Sequence, residues 1–195
     1  SRETFPELEE FRSLILKKNK EINLISCNTE GNSRERHIID SAQIIDLIDK
    51  NAKKCIDIGS GAGFPGIVVS IIMKHSNIST KFDLYEKSPK KSDFLQLVSE
   101  KLDLNTKILT KNIFEEKSLE ADTITVRAFK PLNQIFNIMT TKFKNYKNLI
   151  LFLGKTGKQN LLDASKVWDF EYKERMSVTD SDSLIVNIKN IKKKN

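Results

Sequence analysis

Four of the chain's seven glycines fall within the eight positions from Gly59 to Gly66. Residues 55–66 read CIDIGSGAGFPG, so an apolar segment leads directly into a glycine-rich turn. Glycine loses backbone entropy on folding and packs no side chain, so such a cluster indicates a backbone that bends sharply or lies against a ligand. Pro65, near the end of the turn, suits the start of a helix. These residues predict a strand, a loop and a helix that together cradle a nucleotide.

Segments with strand character alternate with helical patterns after residue 50. Seven strands are predicted, at 55–58, 81–85, 106–109, 123–126, 149–153, 170–175 and 184–188. Helical patterns fit between most of them, at 65–74, 90–101, 131–142 and 157–166. This alternation predicts an α/β fold with a mostly parallel sheet covered on both faces. No helical pattern separates the last two strands, so we expect them to form an antiparallel hairpin at one edge.

Two helices are predicted before the first strand. Apolar residues within 3–19 recur at spacings of three and four, and a second helix is predicted from Ser33, as its cap, through Ile48. The expected organisation is an N-terminal helical extension over 1–50, a main domain over 51–190 and a disordered basic tail over 191–195.

Composition narrows the class of protein. No apolar run approaches the ~18 residues that cross a bilayer, so no membrane partner is expected. Cys27 and Cys55 are isolated and form neither a metal-ligand spacing nor a disulfide framework, which favours the cytoplasm and no metal. The net charge of +7 favours a polyanionic partner through phosphate contacts, although a bias toward lysine in the coding sequence would give the same excess.

The glycine-rich turn has two interpretations. The segment 61–66 satisfies the G-x-G-x-x-G pattern of dinucleotide-binding proteins, and Glu86 follows 20 residues after Gly66, where a ribose-binding acid belongs. The chain lacks a second nucleotide-binding half and an evident hydride-transfer residue, which disfavours a reductase. A purely structural turn, with Glu86 as a solvated carboxylate beside Lys87, is a further alternative.

The order of the seven strands, with a reversed hairpin at the end, resembles the class I S-adenosylmethionine-dependent methyltransferase fold, a Rossmann-like sheet. The segment 57–63, D-x-G-x-G-x-G, resembles the first motif of that fold, whose loop passes beside the methionine moiety and the ribose of the cofactor. A carboxylate such as Glu86 can accept hydrogen bonds from both ribose hydroxyls. The pair Asn112–Ile113, after the third strand, is expected to meet the adenine edge.

Four segments resemble the signature series of the bacterial 16S rRNA guanine-N7 methyltransferase family, also called glucose-inhibited division protein B. They are NLIS at 23–26, RHIIDS at 36–41, DIGSGAGFPG at 57–66 and VRAF at 126–129. The likeness covers roughly residues 20–190. It implies methyl transfer from S-adenosylmethionine to a guanine N7 of 16S rRNA, which forms 7-methylguanosine. We therefore expect a monomeric, cytoplasmic rRNA-processing enzyme whose partner is 16S rRNA or the small ribosomal subunit.

Site residues follow from these resemblances. The residues assigned to the cofactor are Gly59, Ser60, Gly61, Gly63, Phe64, Glu86, Asn112, Ile113 and Arg127. The residues assigned to the substrate are Arg36, His37 and Lys155. The family often has Leu-Lys-Gly after the fifth strand, and this chain has its lysine, Lys155, one position later. The chain also has Asp182-Ser183 where the family commonly has a basic residue.

The implied chemistry asks for alignment rather than for a general base. Guanine N7 carries an in-plane lone pair and the sulfonium is already activated, so catalysis reduces to an in-line arrangement. Arg36 and Arg127 are expected to position RNA phosphates or the base edge. For Arg127 the alternative is an ion pair with Asp40 or Glu86, and for His37 it is a structural role on the second helix, by packing or by a hydrogen bond.

Two other functions stay open at this stage. A methyltransferase of the same fold that acts on another RNA would keep the cofactor and change the acceptor. A non-catalytic RNA-binding module would show a steep salt dependence and no methyl transfer.

Overall fold

Seven strands form one sheet in the computed structural model, which describes residues 2–194. In chain order they are β1 Lys54–Ile58, β2 Lys81–Tyr85, β3 Thr106–Leu109, β4 Thr123–Arg127, β5 Asn148–Leu153, β6 Trp168–Met176 and β7 Leu184–Lys193. Their order across the sheet is β3-β2-β1-β4-β5-β7-β6. The first five strands are parallel, and β7 runs antiparallel to both β5 and β6. The predicted α/β sheet with its reversed final strand is confirmed, and β7 lies between β5 and β6.

Helices connect the strands and cover both faces of the sheet. They are α1 Thr4–Asn19, α2 Cys27–Glu30, α3 Asp40–Ala42, α4 Gly66–His75, α5 Pro89–Lys101, α6 Leu132–Lys142 and α7 Gly157–Ser165. Two hydrophobic clusters lie on opposite faces of the sheet: α1, α4 and α5 contribute to one, and α6 and α7 to the other. β1 is buried on both faces, as a central parallel strand should be, and its four buried residues are Cys55, Ile56, Asp57 and Ile58.

The predicted second helix, from Ser33 to Ile48, is wrong as a single regular helix. Residues Arg34–Ile39 form a π-helical turn before α3, and a 3-10 turn follows at Ile45–Leu47. Ser33 does not cap the segment, because its own backbone is helical and its Oγ accepts a hydrogen bond from Arg12 Nε at 2.8 Å.

The widened turn has an identifiable cause. In a regular α-helix the main-chain oxygen of Arg36 would accept from the amide of Asp40. Here that oxygen accepts from Nη2 of Arg127 at 2.6 Å, and the Asp40 amide donates to the oxygens of Glu35 and His37 instead. A side chain that enters the helical hydrogen-bond ladder in this way is a recognised origin of such irregular turns.

The C-terminal end also differs from the expectation. Strand β7 continues to Lys193, and Ile191 is buried, so residues 191–193 belong to the sheet rather than to a disordered tail. The pairs Trp168 with Lys193 and Asp169 with Lys192 hold this end against β6. Asn195 lies outside the described residues. Within residues 2–194, no helix combines the length and apolar character needed to cross a membrane.

Candidate active site

A cavity of about 470 Å³ opens where the carboxyl ends of β1, β2 and β4 meet. The strand order reverses between β1 and β4, and ligand crevices of open α/β sheets form at such a switch point. The glycine turn, Glu86 and the Asn112–Ile113 pair line the cavity, and residues 24–26 of the N-terminal extension complete its wall. The cavity is therefore built from both the extension and the sheet.

The glycine turn is held in place by backbone hydrogen bonds. The amides of Gly59 and Ser60 both donate to the main-chain oxygen of Tyr85, at 2.9 and 3.0 Å. Gly61 has φ +56°, a left-handed conformation that favours glycine. A Cβ atom at Gly61 would meet only the oxygen of Gly59, at 3.8 Å, so the side of Gly61 that lacks a side chain faces open space. The turn presents bare backbone to the cavity at this residue.

Gly63 has a different environment and does not line the cavity. A Cβ atom there would lie 2.7 Å from Ile67 Cγ1 and 3.1 Å from Leu95 Cδ2. The missing side chain allows the turn to approach α4 and α5 closely. The assignment of Gly63 to the cofactor therefore has no support from its position, and packing explains the glycine.

Asp57, near the end of β1, connects the glycine turn to β4 and to the start of α4. Its Oδ1 accepts from Thr125 Oγ1 at 2.7 Å, and its Oδ2 accepts from the amide of Gly66, at the start of α4, at 3.3 Å. The carboxyl group is fully buried, and this burial raises its pKa to about 6, against the opposing effect of hydrogen bonds from Thr125, Ser60 and Gly66. The sequence marks Asp57 as part of a motif but gives no sign of this anchoring contact.

Glu86 follows β2 and lies against the turn with only 9 % of its surface exposed. Its Oε2 accepts from the amide of Gly61 at 2.9 Å, and its Oε1 accepts from the amide of Ser88 at 2.8 Å. Each oxygen keeps one further acceptor position, since a carboxylate offers about four. The alternative of a solvated carboxylate beside Lys87 does not fit this geometry.

Asn112 and Ile113, which follow β3, form another part of the cavity wall. Asn112 Oδ1 accepts from the amide of Phe114 at 3.3 Å, and its Nδ2 donates to Glu115 Oε1 at 3.2 Å, so the side chain is oriented by its own turn. Ile113 is buried and gives the wall an apolar surface. The ring of Phe114 stacks on Phe129 with centroids 6.0 Å apart, which joins this wall to the segment after β4.

Arg127, the last residue of β4, lies in the cavity wall and also forms an ion pair. Its Nη2 lies 2.9 Å from Asp40 Oδ2, and its Nη1 donates to Ser41 Oγ at 3.2 Å. Burial lowers the pKa of the guanidinium while Asp40 raises it, and arginine stays charged in any case. The ion pair with Asp40, one of the two alternatives from the sequence, is present. Arg127 thus joins the sheet to the extension inside the cavity wall.

His37 lines the same cavity and is neutral at physiological pH. Its ring stacks on Phe64 with centroids 4.9 Å apart, and its Nε2 shares a hydrogen bond with Thr29 Oγ1 at 3.0 Å. Burial, with the adjacent Arg127 charge, lowers the pKa of His37 to about 4. His37 therefore packs and hydrogen-bonds as a structural residue, with partners outside the predicted second helix, and it also lines the cavity.

The structure separates Arg36 and Lys155 from this group. Arg36 Nη1 lies 2.6 Å from Asp180 Oδ2, and Arg36 lines a second cavity of about 220 Å³. Lys155 is exposed and lines neither cavity. Four lysines that were not selected from the sequence line the first cavity: Lys87, Lys91, Lys111 and Lys130. Three of them closely follow the ends of β2, β3 and β4, and that position is the signal that could have identified them.

Comparison with known proteins identifies the same family from a family model and from individual relatives. The family described as rRNA small subunit methyltransferase G, GidB, matches residues 4–187. The chain is 48% identical over 196 residues to Ribosomal RNA small subunit methyltransferase G of Pelagibacter ubique (strain HTCC1062), covering 100% of the chain and 92% of that relative. It is 37% identical over 193 residues to the protein of the same name from Rickettsia akari (strain Hartford), covering 99% and 97%.

Solved structures share the fold at low sequence identity. The 16S rRNA methylase RmtB superposes with a TM-score of 0.59 at 12% identity, covering 94% of this chain and 74% of that one. A mutant of MtNAS, solved in complex with S-adenosylmethionine, gives 0.60 at 14% identity, covering 93% and 74%. These two likenesses concern the fold alone.

Proposed function

The chain belongs to the rRNA small subunit methyltransferase G family, and on that basis we propose that it transfers a methyl group from S-adenosylmethionine to N7 of a guanine in 16S rRNA. The observation that carries the proposal is the placement of Glu86. Its two oxygens are fixed by the amides of Gly61 and Ser88 at the edge of the cavity, each with an acceptor position left over.

The residues present fit a nucleoside with a bulky sulfonium side chain. A volume of about 470 Å³ lies within the usual range for small-molecule sites. The bare backbone at Gly61 leaves room directly beside the carboxylate that would accept from a ribose. Asn112 and Ile113 offer one polar and one apolar surface to the adenine, which suits a flat heteroaromatic ring.

When bound, the cofactor supplies an electrophilic methyl group on a positively charged sulfur. The protein's part is then to hold and orient. Glu86 and the glycine turn grip the sugar, while the Phe64–His37 stack and the apolar Ile113 exclude water from the crevice. Guanine N7 has no proton to lose, so no side chain has to act as a base. Alignment of the two reactants can supply a large part of the rate acceleration.

Residues from the N-terminal extension take part in this site, so we propose that segments 1–50 and 51–190 act as one unit. We also propose that the enzyme is a cytoplasmic monomer. Light scattering during gel filtration at assay concentrations tests the oligomeric state. A dimer whose activity falls on dilution would contradict it.

The test of the proposed function is methyl transfer to small ribosomal subunits that lack the modification. Purified protein is incubated with tritium-labelled S-adenosylmethionine, and the labelled nucleoside is identified and located by mass spectrometry. We expect 7-methylguanosine in 16S rRNA. Label in another RNA would favour the alternative acceptor, and binding of S-adenosylhomocysteine without any transfer would favour the RNA-binding module. Thermal protection by NAD(P)H alone would indicate a reductase.

A further inference from the structure

The second cavity adjoins the first and shares Arg127 and Ala128 with it. It lies between the ends of β4 and β5 and the β6–β7 connection, residues 177–183. Ala128 has φ +50°, a conformation that non-glycine residues adopt rarely, so the backbone turns sharply at the shared wall. The two cavities are thus neighbours around one irregular residue at the carboxyl edge of the sheet.

The polar groups of the second cavity form a paired donor and acceptor. Arg36 Nη1 lies 2.6 Å from Asp180 Oδ2, and Asp180 Oδ2 also accepts from Ser183 Oγ at 3.0 Å. Asp180 Oδ1 accepts from the amide of Asp182 at 2.9 Å and keeps one acceptor position. Arg36 has further N–H groups beyond the Nη1 contact. A free acceptor therefore lies next to free donors.

That arrangement matches one edge of guanine and opposes the same edge of adenine. Guanine presents the acceptor O6 beside the donor N1–H, whereas adenine presents the donor N6 amino group beside the acceptor N1. Phe152 contributes an aromatic ring to the same cavity, and aromatic rings stack with splayed-out RNA bases. A volume of about 220 Å³ can accept a single base.

Resting on the proposed function, we propose that the second cavity selects the acceptor guanine, with Arg36 donating to O6 and Asp180 accepting from N1–H. Contacts to this edge leave N7 free, because N7 lies on the adjacent edge of the ring. N7 then faces the Arg127–Ala128 wall that the two cavities share. Asp180 is a specificity-determining residue in this arrangement, and it was not selected from the sequence.

The test compares three bases at the position that the wild-type enzyme methylates. Small-subunit particles are reconstituted with 16S rRNA that carries guanosine, inosine or adenosine at that position. Inosine keeps O6 and N1–H and lacks only the N2 amino group. We expect the wild-type enzyme to methylate inosine at a rate close to that for guanosine, and adenosine far more slowly.

The variants are Asp180→Asn and Arg36→Lys, with Asp182→Asn as the matched control in the same loop. The amide introduced by Asp180→Asn can donate where the carboxylate only accepts, so the guanosine-to-adenosine rate ratio should fall by about tenfold or more, as expected for loss of a specific base contact. The lysine introduced by Arg36→Lys lacks the planar fork of donors and should lower the ratio as well. The control should keep the wild-type ratio. Titration with S-adenosylhomocysteine checks that each variant still binds the cofactor.

The outcomes separate this proposal from the proposed function. A wild-type enzyme that methylates no guanine of the small subunit would overturn both. A wild-type enzyme that methylates guanosine, together with unchanged ratios in both variants, would overturn the guanine site alone. A tenfold loss on inosine in the wild type would also overturn it, because the N2 amino group would then be the feature that is read.

Discussion

Arg127 at the end of β4 donates a hydrogen bond to the main-chain oxygen of Arg36, 91 positions earlier, with a separation of 2.6 Å. The same guanidinium lies 2.9 Å from Asp40 Oδ2 and within 5.8 Å of the centre of the Phe64 ring. One side chain of the sheet thereby fixes the local conformation of the N-terminal extension. Because both partners line or adjoin the two cavities, the stability of this contact and the shape of the site depend on each other.

We expect Asp40→Asn to lower the free energy of unfolding by about 3 kcal/mol, because it leaves the buried Arg127 charge without its partner. Asp40 also accepts from Ser177 and Thr179, so the β6–β7 connection should loosen with it. Urea denaturation measures the change. Asp163→Asn is the control, since its pair with Lys166 is exposed and should contribute far less to stability. Equal effects of the two substitutions would contradict the structural role given to Asp40.

Alanine at three glycines should separate ligand binding from packing. Gly61→Ala should cost about 1 kcal/mol of stability for its left-handed backbone and reduce the affinity for S-adenosylhomocysteine, because the new methyl group faces the cavity. Gly63→Ala should cost more, about 3 kcal/mol, because its methyl group would meet Ile67 and Leu95. Gly31→Ala, at φ −62° with open space around it, should be neutral or slightly stabilising. Calorimetric titration and urea denaturation report the two properties separately, and a Gly63→Ala protein of wild-type stability would refute the packing explanation.

Glu86→Gln should weaken S-adenosylhomocysteine binding by about tenfold or more, since a hydrogen bond to a charged acceptor contributes roughly 1.5–3 kcal/mol. The amide oxygen can still accept from Gly61, so the fold should be retained. Glu120→Gln, at an exposed position, is the control and should bind as the wild type does. Wild-type affinity in Glu86→Gln would remove the main support for a ribose contact at this residue.

Two buried groups should give opposite pH dependences of stability. Burial raises the pKa of Asp57 from 3.8 to about 6, so the folded state binds the proton more tightly and stability falls as pH rises from about 4 to 6, by about 3 kcal/mol. Burial lowers the pKa of His37 from 6.5 to about 4, so the unfolded state binds the proton more tightly and stability rises between about pH 4 and 6.5.

The two contributions oppose each other in the wild type and can be separated by substitution. Relative to the wild type, Asp57→Asn should become more stable as pH rises from 4 to 6, and His37→Gln should become less stable over the same interval. Urea denaturation at several pH values gives both difference curves. Curves that stay parallel to the wild type between pH 4 and 6.5 would show that neither group titrates as described.

The parts of the structure that sequence predicted well depend on local patterns. Neighbouring residues and their spacing predict the glycine turn, the position of Glu86 directly after β2 and the reversed hairpin. The broken helix after Ser33 was not predicted, because its cause is the Arg127 side chain, which is remote in sequence. The packing reason for the glycine at position 63 is also remote in sequence, since Leu95 belongs to another helix.

The antiparallel direction of β7 determines where the β6–β7 connection lies. Because β7 runs against β5, with Leu184 beside Leu153, the loop that carries Asp180 returns to the edge where the parallel strands end. In the proposed function the residues that follow β1 and β2 bind the methyl donor, while the proposed acceptor site pairs Asp180 of the β6–β7 connection with Arg36 of the N-terminal extension. Replacement of the β6–β7 connection, residues 177–183, should therefore change the nucleobase that the enzyme accepts and leave its donor pocket intact.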